Sequence, residues 1–191
     1  MQEYDEALRE QTEKTEIVFQ GPIFRVEVAE VRLPNGKTAR RDVVRHPGAV
    51  CVLPVTKEGE VYLVRQWRAG YRGVTLEIPA GKLDPGETDT REAAARELRE
   101  ETGAVAGRMT SLGDYYGSPA ILEERIAMYL AEDLTFGETD FDEDEFLAPV
   151  KMPLDDLVCE VLAGQIPDGK TQVAALRAYC MRHGLPDGTA L

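Results

Sequence analysis

The sequence predicts an α/β fold in which a mixed sheet lies between helices, preceded by a small antiparallel β element. Three observations lead there. Short apolar strand patterns alternate with helical ones, and a strong helix follows a central strand, the order expected of a sheet covered by helices. Near the start, strand-like runs flank Pro34-Asn35-Gly36-Lys37, which is hairpin-turn chemistry. No repeat or low-complexity linker divides the 191 residues, a length that holds one compact core plus a small N-terminal element.

Taken in order, residues 1–15 are polar and charged and read as a loose or helical lead-in. Runs 15–19, 24–33 and 38–44 form the antiparallel meander, so residues 1–45 are assigned to the N-terminal element and 46–191 to the main domain. Runs 49–56 and 60–66 are two further strands, joined by Lys57-Glu58-Gly59, and 74–79 is a third that delivers Ala80 and Gly81 to a turning loop. From about 89 to 102 nearly every residue is a helix former. Thr88, Asp89 and Thr90 can each cap its start, and Gly103 stands where a left-handed cap would end it. Strands are expected at 111–116, 126–131 and 147–152, and amphipathic helices at 153–163 and 172–182.

Composition excludes several classes. With 22 Lys and Arg against 35 Asp and Glu, the formal charge is −13, which argues against a nucleic-acid scaffold. Cys51, Cys159 and Cys180 are odd in number and lack CxxC spacing, so reduced thiols fit better than a disulfide framework or zinc site. No apolar run approaches the roughly 20 residues of a membrane span, and no charged-then-apolar leader opens the chain. The expected location is cytoplasmic, with no membrane partner. His46 and His183 are too isolated to suggest a histidine mechanism.

The stretch AGKLDPGETDTREAAARELREETGA, residues 80–104, carries the chemistry. Glu97, Glu100 and Glu101 fall within an arc of roughly 100° on the helix, beside an apolar stripe expected from Ala94, Ala95 and Leu98. Like charges at that spacing repel by a few tenths of a kcal/mol per pair, so helix stability alone does not select them. A hard divalent cation reverses the sign, because it prefers clustered oxygen ligands. A solvated acidic face paired with Arg91, Arg96 and Arg99 is the bland alternative.

The loop decides between them. Gly81, five residues, Glu87, eight residues, then Arg96-Glu97-Leu98-Arg99-Glu100-Glu101-Thr102-Gly103-Ala104 closely resembles the Nudix box, the loop-helix signature of hydrolases that cleave nucleoside diphosphates linked to another moiety. The family has seven residues where this chain has eight, and the extra one is expected in Thr88-Asp89-Thr90, ahead of the helix. Further segments resemble the ADP-ribose pyrophosphatase branch: Glu77-Ile78-Pro79-Ala80-Gly81, Arg40-Arg41-Asp42, Arg65-Gln66-Trp67-Arg68, Tyr115-Tyr116-Gly117-Ser118-Pro119 and Asp168-Gly169-Lys170-Thr171.

The resemblance implies a Nudix α/β/α sandwich using Mg²⁺ (or Mn²⁺) to split ADP-ribose into AMP and ribose 5-phosphate. Glu97 and Glu101 are the expected direct ligands, with Glu100 direct or through water and the Ala80 carbonyl completing the set. Arg96 is either an orienting partner of these glutamates or a simple helix-surface ion pair. The general base is expected in the acidic run 141–146, with Glu143 first and Glu145 second. Arg40 (or Arg41) and Arg68 are the expected phosphate or ribose contacts, Phe24 and Trp67 stack on adenine or simply pack, and Glu124 aligns with a carboxylate of the branch. Relatives are usually homodimers through their N-terminal strands, and a homodimer is expected here. ADP-glucose or GDP-mannose are the alternative substrates. A non-catalytic ligand sensor is disfavoured by the retained glutamates.

Overall fold

The computed structural model describes residues 3–139 and 146–184, which divide into two compact units. The first comprises the described residues of Met1–Gly48 with Tyr116–Glu124. A short helix α1 (Glu3–Leu8) leads into β1 (Gln11–Gln20), β2 (Arg25–Arg32) and β3 (Thr38–Arg45), an antiparallel sheet in that order. The expected turn closes β2 onto β3, the Leu33 N–H donating to the Lys37 carbonyl at 2.8 Å. Strand β1 begins four residues earlier than its apolar pattern, because pairing of Gln11 with Arg32 extends the ladder through polar residues. Glu27, buried in β2, accepts from Arg25 and Arg45 at 2.7 Å each, so its charge is matched on both sides. Residues 116–124 run alongside β3, where the Val44 N–H donates to the Ile121 carbonyl at 2.7 Å.

The second unit comprises Ala49–Tyr115 and the described residues of Arg125–Leu191. Its elements are β4 (Ala49–Pro54), β5 (Glu60–Arg68), β6 (Gly73–Glu77), β7 (Ala80–Lys82), α2 (Thr90–Thr102), β8 (Ala104–Tyr115), β9 (Ile126–Phe136), β10 (Ala148–Pro153), α3 (Leu154–Leu162) and α4 (Gly169–Arg182). One sheet has the order β7-β4-β9-β8, mixed because only β4 and β9 run parallel; the other is antiparallel, β10-β5-β6.

All six residues of β4 are buried, as a strand covered on both faces must be. Alternation sends Val50 and Val52 to a cluster with Ala93, Ala94 and Leu98 of α2, while Cys51 and Leu53 join Leu157, Ala174 and Ala178 of α3 and α4. The sheet therefore has α2 on one face and the C-terminal helices on the other, the expected sandwich. Truncating Leu98, which is fully buried, would cost about 2–5 kcal/mol by the usual cavity cost.

Three local expectations are corrected. Residues 80–82 form a strand rather than loop, because the open edge of β4 pairs them, Cys51 opposite Ala80. Strand β8 begins at Ala104, not 111, because β9 pairs with it back to Ala104 opposite Phe136. On α2 the apolar stripe is Ala93, Ala94 and Leu98; Ala95, one residue or 100° further round, is exposed.

Candidate active site

Helix α2 starts where the caps place it. The Asp89 carboxylate accepts from the N–H groups of Arg91 and Glu92 at 2.9 and 3.2 Å. At the other end Gly103 takes φ 69° and donates to the Arg99 carbonyl at 2.8 Å. Residues 88 and 89 thus stay ahead of the helix, which begins at Thr90.

Glu97 and Glu101 lie on the buried side of α2, one turn apart, with Glu100 half-buried beside them. Arg96 sits among carboxylates. Its Nη1 donates to Glu97 at 2.8 Å and to Glu100 at 3.1 Å, and its Nη2 donates to Glu87 at 3.2 Å with Asp84 at 3.8 Å. Burial works against the guanidinium's charge, but Glu97 and Glu87 outweigh it and hold its pKa above the ordinary range. With Arg99 also 3.8 Å from Glu100, two cations against four carboxylates leave this group with a formal charge of −2. Arg96 is therefore an organiser of the acidic cluster rather than a lone surface pair.

Glu87 is fixed independently. Its carboxylate accepts the Asp84 N–H at 3.0 Å, and that bond, with Arg96, lowers its pKa. Gly81 in β7 has a steric reason: a Cβ there would overlap the Glu97 carboxylate. Strand β7 therefore brings its backbone, with Ala80 adjacent, directly against that acid. The cradle and the hard oxygen donors suit a small divalent cation. Among the described residues no three His, Cys, Asp or Glu groups already converge as a ligand set; Arg96 engages Glu97 and Glu100 instead.

Comparison with known proteins decides the family. The model described as NUDIX domain matches residues 44–176, and one described as nucleoside diphosphate sugar hydrolase N-terminal domain matches residues 10–44. The chain belongs to the Nudix family. It is 41% identical over 170 residues to an ADP-ribose pyrophosphatase of Bacillus subtilis, covering 88% of this chain and 91% of that one. It is also 41% identical over 167 residues to a methanol dehydrogenase activator of Bacillus methanolicus, covering 86% and 90%. Among solved structures, one described as an ADP compounds hydrolase superposes with a TM-score of 0.76 at 25% identity, covering 92% of this chain and 96% of the other.

The remaining candidates divide between the two units. In the Nudix unit, Trp67 is exposed on β5, and Arg68 follows it with Nε and Nη2 donating to Glu77 at 2.8 and 2.7 Å. In the N-terminal unit, Arg40 pairs with Asp42 at 2.8 Å, Arg41 with Glu10 at 3.0 Å, and Phe24 packs on Phe19 with ring centroids 5.5 Å apart. Glu124 lies 3.4 Å from the His46 Nδ1. Glu143 and Glu145 lie outside the described residues.

One cluster escaped the sequence reading. Glu77 is almost wholly buried and accepts from Thr75, Arg68 and Lys170. Burial alone would raise its pKa; the Arg68 hydrogen bonds and the Lys170 charge prevail and hold it at about 2. The available signal was a glutamate inside the apolar run 74–79, which a buried strand tolerates only with partners.

Proposed function

We propose that this Nudix protein is a divalent-cation-dependent pyrophosphatase that hydrolyses ADP-ribose to AMP and ribose 5-phosphate. The observation that carries the reading is the Glu97 carboxylate seated against Gly81, on the same helix side as Glu101 and organised by Arg96. The name of the B. subtilis relative supplies the substrate class. Mg²⁺, or Mn²⁺, suits these oxygens; Glu97 and Glu101 would hold it, with the Ala80 carbonyl and with Glu100 direct or through water. When bound, such an ion draws charge from the pyrophosphate oxygens and acidifies water.

The chain's own residues do the rest. Arg96 keeps Glu87, Glu97 and Glu100 turned toward one another, so the acids are oriented before substrate arrives. Arg68 uses two N–H groups on Glu77, and its remaining donors, on a side chain 42% exposed, are suited to a phosphate or ribose oxygen. Arg40, Phe24, Trp67 and Glu124 are the further substrate contacts of this reading. Water forms a new P–O bond as the bridging P–O bond breaks, and its proton passes to a base assigned to Glu143, then Glu145. A homodimer through the N-terminal sheet, in the cytoplasm, completes the proposal; the exposed Ile17, Val18 and Phe19 of β1 support that surface.

The test is product identity. ADP-ribose, ADP-glucose and GDP-mannose are each incubated with the protein and Mg²⁺, and products are separated by ion-exchange chromatography. AMP and ribose 5-phosphate from ADP-ribose, formed fastest of the three, is expected. Faster cleavage of another sugar would transfer the assignment to it, and no cleavage of any would overturn the enzymatic reading.

A further inference from the structure

Lys170 lies in the Asp168-Gly169-Lys170-Thr171 segment, to which the proposed chemistry gives no task, yet it is buried at the start of α4. Asp168 caps that helix, one carboxylate oxygen accepting the Thr171 N–H at 2.9 Å while the other accepts Lys170 Nζ at 2.9 Å. The same turn is fastened to the end of β6 twice. Lys170 donates to Glu77, and the Thr171 Oγ1 accepts the Ile78 N–H at 3.0 Å.

The geometry at Glu77 gives this fastening a consequence. A carboxylate has about four lone-pair sites. At Glu77 Oε1 accepts Arg68 Nε at 2.8 Å and Thr75 Oγ1 at 2.6 Å, while Oε2 accepts Arg68 Nη2 at 2.7 Å and Lys170 Nζ. All four are occupied, so the carboxylate has no freedom to rotate without breaking a bond. Arg68, held by two parallel bonds to an immobile partner, has its guanidinium plane fixed in turn. Two cations and two anions make Lys170, Arg68, Glu77 and Asp168 formally neutral, and only Arg68 among them is substantially open to solvent.

We propose that Lys170 is a positioning residue: acting through Glu77, it fixes the orientation in which Arg68 presents its free N–H groups to the substrate's anionic oxygens. This rests on the reading above that Arg68 contacts ADP-ribose. Loss of Lys170 Nζ leaves the Glu77 Oε2 short of one partner; Arg68 and Thr75 alone then hold the carboxylate, and the Arg68 guanidinium loosens with it. The loss falls on substrate binding, not on the acidic cluster of α2.

A double-mutant cycle tests this. KM and kcat for ADP-ribose are measured for the parent, Lys170→Met, Arg68→Ala and the double variant, each at a temperature where it is shown to be folded. Lys170→Met should raise KM roughly tenfold, the equivalent of one hydrogen bond to a charged group, with kcat within about twofold of the parent. In the Arg68→Ala background it should leave KM unchanged. An equal KM increase with and without Arg68, or an effect confined to kcat, would overturn the role. If Lys170→Met does not fold, Thr75→Val removes a different donor from Glu77, and the same cycle applies with the same two outcomes. A parent that hydrolyses ADP-ribose while Arg68→Ala keeps the parental KM overturns the positioning role alone. A parent that neither binds nor hydrolyses ADP-ribose overturns the functional reading and this role with it.

Discussion

Glu77→Gln keeps the shape of the side chain and removes the charge that Arg68 and Lys170 surround. Held at about 2 against an ordinary 4.5, the carboxylate's ionised form stabilises the fold by on the order of 3 kcal/mol at neutral pH, at about 1.4 kcal/mol per tenfold change. An independent estimate agrees: removing one partner of a buried ion pair costs about 3–5 kcal/mol. For a chain of this size that is roughly 6–20 °C in Tm, at roughly 2–4 °C per kcal/mol.

The pH dependence has a definite sign. The folded-state pKa lies below the unfolded one, so the stabilisation is complete above about 4.5 and disappears as pH falls toward about 2. Other carboxylates titrate there too, but they are common to both proteins and cancel in the difference. Urea denaturation of parent and variant between pH 7 and pH 2.5 is the assay. A gap of about 3–5 kcal/mol at pH 7 that narrows steadily below pH 4.5 is expected. No gap at pH 7, or one that stays constant down to pH 2.5, would refute the ionic account of this cluster.

Four other outcomes follow from the same contacts. Gly81→Ala should fold with an unchanged circular dichroism spectrum but lose about a hundredfold or more in turnover, since its Cβ displaces the Glu97 carboxylate. Arg96→Gln, which removes the guanidinium shared by Glu87, Glu97 and Glu100, should lower Tm in EDTA by roughly 2–12 °C, about 1–3 kcal/mol after allowance for partial exposure; an unchanged Tm would count against Arg96 as organiser. Burial pushes the Cys51 thiol up to about 12, so a disulfide reagent at pH 8 should titrate exposed Cys159 in the native protein and Cys51 only after denaturation. Sedimentation equilibrium should return twice the 21.2 kDa chain mass, and a monomer at micromolar concentration would remove the proposed N-terminal interface.

What could be read from the sequence was whatever is encoded locally. The Asp89 cap, the Gly103 terminus and the run of helix formers define α2 without outside help, and the three glutamates follow from their spacing on it. The turn at 34–37 likewise sets β2 against β3 by its own chemistry. What escaped depends on distant partners. Strand β7 is three residues long and exists because the edge of β4 accepts it. Residues 104–110, Ala-Val-Ala-Gly-Arg-Met-Thr, lack a clean alternation, and β9 makes them a strand. The choice between Ala93 and Ala95 turned on a rotation that only packing against Val50 and Val52 settles. Glu77 and Lys170 are 93 residues apart, beyond any periodicity, although a glutamate in an apolar strand did ask for a cation.

In the proposed function the acids of α2 hold the ion that the pyrophosphatase reaction requires. The most direct test of that role is ADP-ribose turnover with Mg²⁺ by the parent and Glu101→Gln, at equal folded concentration. The swap keeps the side chain's shape and removes a ligand charge. Rapid parental turnover that falls by about a hundredfold or more in the variant is the predicted result. Equal turnover by the two proteins would remove Glu101 from the mechanism and contradict the account.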